Sequence, residues 1–209
     1  MVKFVYFDVG GVIVLDFSKS NKWNELREEL RIPKEREKEF MFFWQRYETE
    51  ICTTFKISTI VDKLEKKFGI KIPKDYSLLT DGFISRFEVN KSMWSVLAYV
   101  KNNFKIGLLT DQYIGMLKEV KKAHLFPNID LDVVIDSSVV GLSKSNPKIF
   151  ELGEKLAKVK GDEILFIDNS LGRIAVAKKL GWVTFLYDPA NPQKSSQKLM
   201  NFVKKIVKK

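Results

Sequence analysis

A single cysteine, Cys52, and a single histidine, His124, stand among 209 residues, and this shortage removes whole classes of chemistry. One thiol cannot close an intramolecular disulfide, and a cysteine-based zinc site lacks its ligands. Ser/His/Asp, Cys/His and multi-histidine metal sites would each depend on these two residues. His124 follows a lysine-rich helical pattern, where a solvated or helix-end histidine is the simpler reading. No run approaches the ~18 consecutive apolar residues of a membrane span, so no membrane partner is expected. No basic segment followed by an apolar stretch and a small-residue cleavage site opens the sequence, and a cytoplasmic location is expected. Repeats and low-complexity segments are absent as well.

Acidic residues are fewer than basic ones, 26 against 36, which leaves a formal charge of +10. Lysines neutralise phosphates, but here they alternate with glutamates, as in Glu35-Arg36-Glu37-Lys38-Glu39 and Lys63-Leu64-Glu65-Lys66-Lys67. Such interleaving marks solvated helix faces, so no nucleic-acid partner is expected. A basic surface can still draw in small anions. With 45% hydrophobic residues, the chain has material for a sizeable core of one or two domains.

The stretch Phe4-Val5-Tyr6-Phe7 is apolar and β-favouring, and it stops at Asp8, with Gly10 and Gly11 next. This predicts a buried strand followed by a tight turn that presents Asp8; the carboxylate could also simply cap that turn. Residues of about 16–88 read as all-helical and rich in aromatics. Trp23, Leu26 and Leu30 stripe one helix, Phe40, Phe43, Trp44 and Tyr47 a second, Ile60, Val61, Leu64 and Phe68 a third that closes at Gly69, and a fourth follows Pro73 through Leu78, Leu79, Phe83 and Ile84. Core packing between helices is the simplest use of those aromatics.

From Lys91 onward, helical stripes alternate with short apolar strands at Phe104 to Leu109, Leu131 to Ile135, Ile164 to Ile167 and Val183 to Tyr187. That alternation predicts an α/β fold, a Rossmann-like doubly wound parallel sheet with an inserted all-helical domain after its first strand. The expected division is a core of residues 1–15 plus 89–209 and a helical cap of 16–88, lying over the end of the first strand. The final helix, with Leu199, Phe202, Val203 and Ile206 on one side and lysines elsewhere, is expected to dock on the sheet.

Four side chains then fall at the C-terminal edges of parallel strands or in the loops leaving them: Asp8, Thr110, Lys144 and Asp168. In a doubly wound sheet those edges meet at one crevice. The set suits attack on a phosphoryl group, with Asp8 as nucleophile, the Thr110 hydroxyl and nearby amides on phosphoryl oxygens, Lys144 offsetting their charge, and Asp168 helping to hold Mg²⁺. Singly, each has a plainer use: a loop lysine is solvated, a threonine ends a strand, and an aspartate caps a helix.

Taken together, Phe7-Asp8-Val9-Gly10-Gly11-Val12, Leu108-Leu109-Thr110-Asp111, Gly141 to Phe150 around Lys144, and Phe166-Ile167-Asp168-Asn169-Ser170 with Gly181-Trp182 resemble, in order, the four motifs of the haloacid dehalogenase superfamily. The resemblance is to the branch with a helical cap after the first strand. It implies Asp8, Thr110 and Lys144 as catalytic residues, with Gly11 and Asp111 beside them at the substrate. It further implies a metal side formed by Asp8, the Gly10 carbonyl, Asp168 and Asn169. The stretch Tyr47-Glu48-Thr49-Glu50-Ile51 is similar to one in the cap of sugar-phosphate phosphatases of this superfamily that also carry glycine in the first motif.

The expected activity is therefore Mg²⁺-dependent hydrolysis of a small phosphate ester through an aspartyl phosphate on Asp8. Three departures bear on it. Gly10 stands where such phosphatases carry a second aspartate for proton transfer, Asn169 where a second carboxylate stands, and Arg173 where an Asn or Asp is usual. Loss of the first lowers a rate by about 10²–10⁴-fold unless another group replaces it. The latter two weaken metal binding, unless Arg173 points to solvent. A degenerate member that only binds phosphate or a protein partner is one alternative. Another is a metal-independent 2-haloacid dehalogenase, in which Arg46 of the cap would hold the substrate carboxylate or halide.

Overall fold

The computed structural model describes residues 1–208. In chain order its strands are β1 (Phe4–Phe7), β2 (Val14–Leu15), β3 (Glu88–Val89), β4 (Lys105–Thr110), β5 (Val133–Asp136), β6 (Ile164–Asp168) and β7 (Val183–Leu186). The α-helices are α1 (Lys22–Glu29), α2 (Glu37–Ile51), α3 (Val61–Phe68), α4 (Lys91–Asn103), α5 (Met116–Lys122), α6 (Ser137–Val140), α7 (Lys148–Ala157), α8 (Leu171–Lys179) and α9 (Pro192–Val207). None of the described helices is long and apolar enough to cross a membrane.

Five strands lie parallel in the order β5-β4-β1-β6-β7. The chain winds outward from β1 through β4 to β5, then returns to the other side of β1 for β6 and β7. This reversal makes a doubly wound sheet, and β1 lies at its switch point. Period-two alternation along β1 divides the core in two. Phe4 and Tyr6 pack with Phe150, Phe166 and Trp182 on one face, while Val5 and Phe7 pack with Ile106, Leu108, Leu199 and Val203 on the other. Tyr6 stacks on Trp182 with centroids 5.7 Å apart, and its hydroxyl donates to the Gly153 carbonyl at 2.9 Å. The closing helix α9 packs on α4 with Leu199 and Val203 buried, and Phe202 meets Phe185 of β7 at 5.6 Å.

Between β2 and β3 the chain is helical. These two short strands pair antiparallel, Val14 opposite Val89 and Leu15 opposite Glu88, so both ends of the helical segment leave the sheet region together. The aromatics pack edge to face: Phe40–Trp44 at 6.0 Å and Trp44–Phe83 at 5.3 Å, with Phe83 reaching Tyr113 beyond β4 at 5.1 Å. Expected helices appear as α1, α2 and α3, and Gly69 ends α3 in the left-handed conformation at φ 68°. The fourth does not form. Leu78–Phe83 makes a π-helical turn and Ile84–Arg86 a 3₁₀ turn. Gly82 lowers helix propensity there, and a Cβ on it would press within 3.3 Å of the Tyr76 hydroxyl and 3.4 Å of Leu26.

Candidate active site

Asp8 follows directly on β1, and its amide donates to the Ile167 carbonyl at 2.9 Å, which fixes the backbone between β1 and β6. Oδ1 accepts from the Val9 amide at 2.8 Å and from the Thr110 hydroxyl at 2.8 Å. Oδ2 lies 2.7 Å from Lys144 Nζ, and the same Nζ is 2.6 Å from Asp168 Oδ2. Asp168 is tied in turn by the Ser170 amide, 2.7 Å from Oδ1. Thus two carboxylates share one ammonium, with Asp8, Lys144 and Asp168 all buried. Burial pushes the Asp8 carboxyl up to about 7, against the pull of Lys144 and with a further push from Asp168. Burial also works against the charge of Lys144, but Asp168 and Asp8 outweigh it and hold the ammonium charged above its usual range.

A second network surrounds the first. Asp111 Oδ1 accepts the Lys144 amide at 2.9 Å, and Oδ2 takes Arg173 Nε at 3.0 Å and Nη2 at 2.7 Å. Arg173 Nη2 also lies 3.4 Å from Glu48 on α2, so the guanidinium links the helical segment to the sheet edge. Ser137 does the same by donating to the Cys52 carbonyl at 2.6 Å. Gln112 donates to the Thr110 hydroxyl at 3.0 Å and so holds the group that holds Asp8.

Asp8, Lys144, Asp111, Asn169 and Arg173 form one side of a cavity of about 440 Å³. Trp23, Met41, Trp44, Phe83 and Phe87 from the helical segment form much of the other. Asp16 also lines it, and burial raises its carboxyl above the usual range. Its Oδ1 accepts the Ser18 amide at 2.8 Å, while Oδ2 faces Gly10. Two buried polar atoms in the wall, Trp44 Nε1 and Gln112 Oε1, have no partner among the described residues.

The structure brings Asp8, Thr110, Lys144, Asp111, Asp168, Asn169 and Gly10 together around this crevice, and it departs from expectation at three points. Thr110 is fully buried and directs its hydroxyl at Asp8, beneath the cavity wall and not into it. Gly11, expected beside the substrate, donates its amide to the Val14 carbonyl at 2.7 Å to close the turn. Among the described residues the amides of Gly10 and Asp111, both in the wall, have no acceptor. Arg46 lies outside the cavity, in a groove with Phe42, Tyr47 and Lys63, because residues 44 and 48 face inward and a position two along the helix turns away. Arg173 does not point to solvent but is held by Asp111. His124 is exposed just past α5, as a helix-end residue.

The donors near Asp8 suit a hard divalent cation. Asp8 and Asp168 offer carboxylates and Asn169 an amide oxygen, folded so closely against Gly11 that a Cβ there would lie 3.0 Å from Asn169 Cγ. With two carboxylates and one shared ammonium, the net negative charge is small, and among the described residues no three His, Cys, Asp or Glu side chains converge on one point. Magnesium fits the chemistry of these donors.

Fold and site together define a doubly wound α/β protein with a carboxylate presented at the switch point. The chain matches the model of the haloacid dehalogenase-like hydrolases over residues 2–181, and it belongs to that family. Among curated proteins, bifunctional epoxide hydrolase 2 of Sus scrofa is 25% identical over 130 residues, 59% of this chain but only 23% of that protein. The chain therefore spans less than a quarter of that relative's length. A predicted HAD-like family hydrolase from Porphyromonas gingivalis has a similar fold, with a TM-score of 0.72 at 18% identity over 100% of this chain and 99% of that one. A HAD family enzyme from Bacteroides thetaiotaomicron, solved in complex with magnesium and inorganic phosphate, gives 0.70 at 18% identity over 90% and 94%. L-2-haloacid dehalogenase from Xanthobacter autotrophicus, with chloropropionic acid covalently bound, gives 0.64 at 18% identity over 90% and 78%. At these identities the likeness is one of fold.

Proposed function

We propose that this hydrolase is a magnesium-assisted phosphatase of a small phosphate ester, with Asp8 as nucleophile. The observation that carries the reading is the convergence of Asp8, Lys144 and Asp168 through one ammonium, Lys144 Nζ lying 2.7 and 2.6 Å from the two carboxylates, at the foot of the cavity. Thr110 and the Val9 amide fix the orientation of Oδ1. Lys144 offsets charge that develops on the phosphoryl oxygens, and the unpaired amides of Gly10 and Asp111 supply donors for them. Asp8, Asp168 and Asn169 would hold magnesium, which supplies further neutralisation of phosphate charge when bound.

The aromatic wall suits the organic part of the ester. Trp44 Nε1 is a buried donor and Gln112 Oε1 a buried acceptor, each without a protein partner among the described residues. An ester carrying hydroxyl groups would satisfy both once the wall side chains shift to uncover them, and a buried polar atom left unpaired costs about 1–3 kcal/mol. This favours a hydroxylated substrate such as a sugar phosphate. Residues 16–88 serve in this reading as a lid, latched to the sheet edge through Arg173–Glu48 and Ser137–Cys52. Arg173 does not oppose the cation, since Asp111 and Glu48 take up its charge. The dehalogenase alternative loses its arginine, because Arg46 opens on a different groove.

Hydrolysis of p-nitrophenyl phosphate with and without Mg²⁺, in the native chain and in Asp8→Asn, tests the proposal. Metal-stimulated turnover abolished in the variant is the expected result. Equal rates in both proteins would rule out Asp8 as nucleophile.

A further inference from the structure

Breaking a phosphate ester of an ordinary alcohol requires a proton for the departing oxygen, and the water that attacks next must lose one. Position 10, adjoining the nucleophile's loop, is a glycine and cannot supply it. The other carboxylates and cations of the cavity wall are already engaged, and burial holds the Tyr113 hydroxyl and the Cys52 thiol protonated. Asp111 holds Arg173 and the Lys144 amide, Glu48 holds Arg173, and Lys144 is shared by two carboxylates.

Asp16 differs from all of these. Its Oδ1 is anchored by the Ser18 amide at 2.8 Å, while Oδ2 has no hydrogen-bond partner among the described residues and is directed at Gly10. A Cβ built on Gly10 would collide with Oδ2 and stand 3.2 Å from Asp16 Cγ. The carboxylate therefore fills the space into which a side chain at position 10 would project, two residues from Asp8 along the backbone. Its aim is fixed from both sides, by the Ser18 amide and by its place after β2, which pairs with β3.

We propose that Asp16 is the proton-transfer residue of this site, reaching from the start of the helical segment into the space that the glycine leaves open. The assignment rests on the phosphatase reading above. As an Asp8 oxygen bonds to phosphorus, the ester P–O bond breaks and the departing oxygen takes the proton of the Asp16 carboxylic acid. Water then attacks the phosphorus of the aspartyl phosphate and gives a proton to the Asp16 carboxylate. The bond between phosphorus and Asp8 breaks, releasing phosphate and restoring both aspartates.

The test compares kcat/KM on an alkyl phosphate, glycerol 3-phosphate, with that on p-nitrophenyl phosphate, whose leaving group departs without a proton. Asp16→Asn keeps the acceptor for the Ser18 amide and Asp16→Ala removes both oxygens. In each, the ratio of the two kcat/KM values is read, since loss of folded protein lowers both equally and cancels. Expected is a fall of about 10²–10⁴-fold on the alkyl ester and less than about tenfold on the nitrophenyl ester, as befits a donor needed by one leaving group only. An unchanged ratio in both variants, with Asp8→Asn inactive, would overturn the role of Asp16 and leave the phosphatase standing. Native activity on both esters in Asp8→Asn would instead overturn the phosphatase reading itself.

Discussion

Asp8 must be ionised to attack, yet its surroundings favour the proton. Burial is the largest influence and lifts its carboxyl to about 7. The folded chain consequently keeps a proton on Asp8 at pH values where the unfolded chain, near 4, has released it. Its contribution to stability is full below the unfolded value and is lost as pH rises through the folded one. Asp8→Asn, which mimics the protonated state, should therefore raise the melting temperature at pH 8, by ~2–4 °C for each kcal/mol regained, with the gain vanishing towards pH 4. A variant less stable than the native chain at pH 8 would contradict this account. Cys52 shows the same physics without a catalytic use. It is buried, and burial pushes its thiol well above the usual range. In the native protein it should resist iodoacetamide at pH 8 and react after denaturation; fast labelling of the folded chain would mean that the contact between the helical segment and the sheet opens readily.

At the scale of elements, the turn after β1 decides where the nucleophile stands. Gly11 adopts φ +71°, and a Cβ there would collide with the Asn169 amide and lie 3.1 Å from Ser18 Cβ. Gly11→Ala should cost about 1–3 kcal/mol of stability and displace Asn169, which thermal melting and magnesium titration would register; a variant with native melting and metal response would count against it. The strands and most helices were legible because their apolar periodicity is strong, as in Phe4–Phe7, Ile164–Ile167 and the stripe of α9. Lys144 and Asp168 were legible for the same reason, since the end of a parallel strand carries its next residues to the crevice. The pair β2–β3 escaped notice because two-residue strands leave no periodicity to read. The turn at Leu78–Phe83 looked helical because its apolar spacing is helical, and only Gly82 hinted otherwise. Arg46 was misplaced because a place in the helical cap does not say which face of the helix a residue takes, and it stands two residues, about half a turn, from the inward-facing Trp44 and Glu48. Asp16 carried no signal beyond being a carboxylate at the opening of the helical segment; its meaning depends on the loop that folds it over Gly10. Arg173 looked like a lone charge until Asp111 and Glu48 came to it from distant parts of the chain.

For the whole molecule, a formal charge of +10 gives a net positive field, which would draw in the phosphate dianion of the proposed substrate. The kcat/KM for a phosphate ester should fall several-fold as ionic strength rises from about 0.01 to 0.5 M, while kcat stays nearly constant; a flat kcat/KM would show that the excess lysines do not steer substrate. The helical segment closes over the sheet edge through few polar ties, Arg173 to Glu48 and Ser137 to Cys52 among them, so substrate should slow amide exchange around Phe17 and Val89 at the base of the lid. Unchanged exchange at saturating substrate would contradict a moving lid. In the proposed function, fold, lid and charge all serve one event, the transfer of a phosphoryl group to Asp8. Mass spectrometry of the enzyme quenched in acid during turnover of a phosphate ester measures that event directly. The account predicts a phosphoryl group on the peptide that contains Asp8 and its absence from Asp8→Asn; phosphate release with no phosphoryl group on that peptide, or with one on another residue, would contradict it.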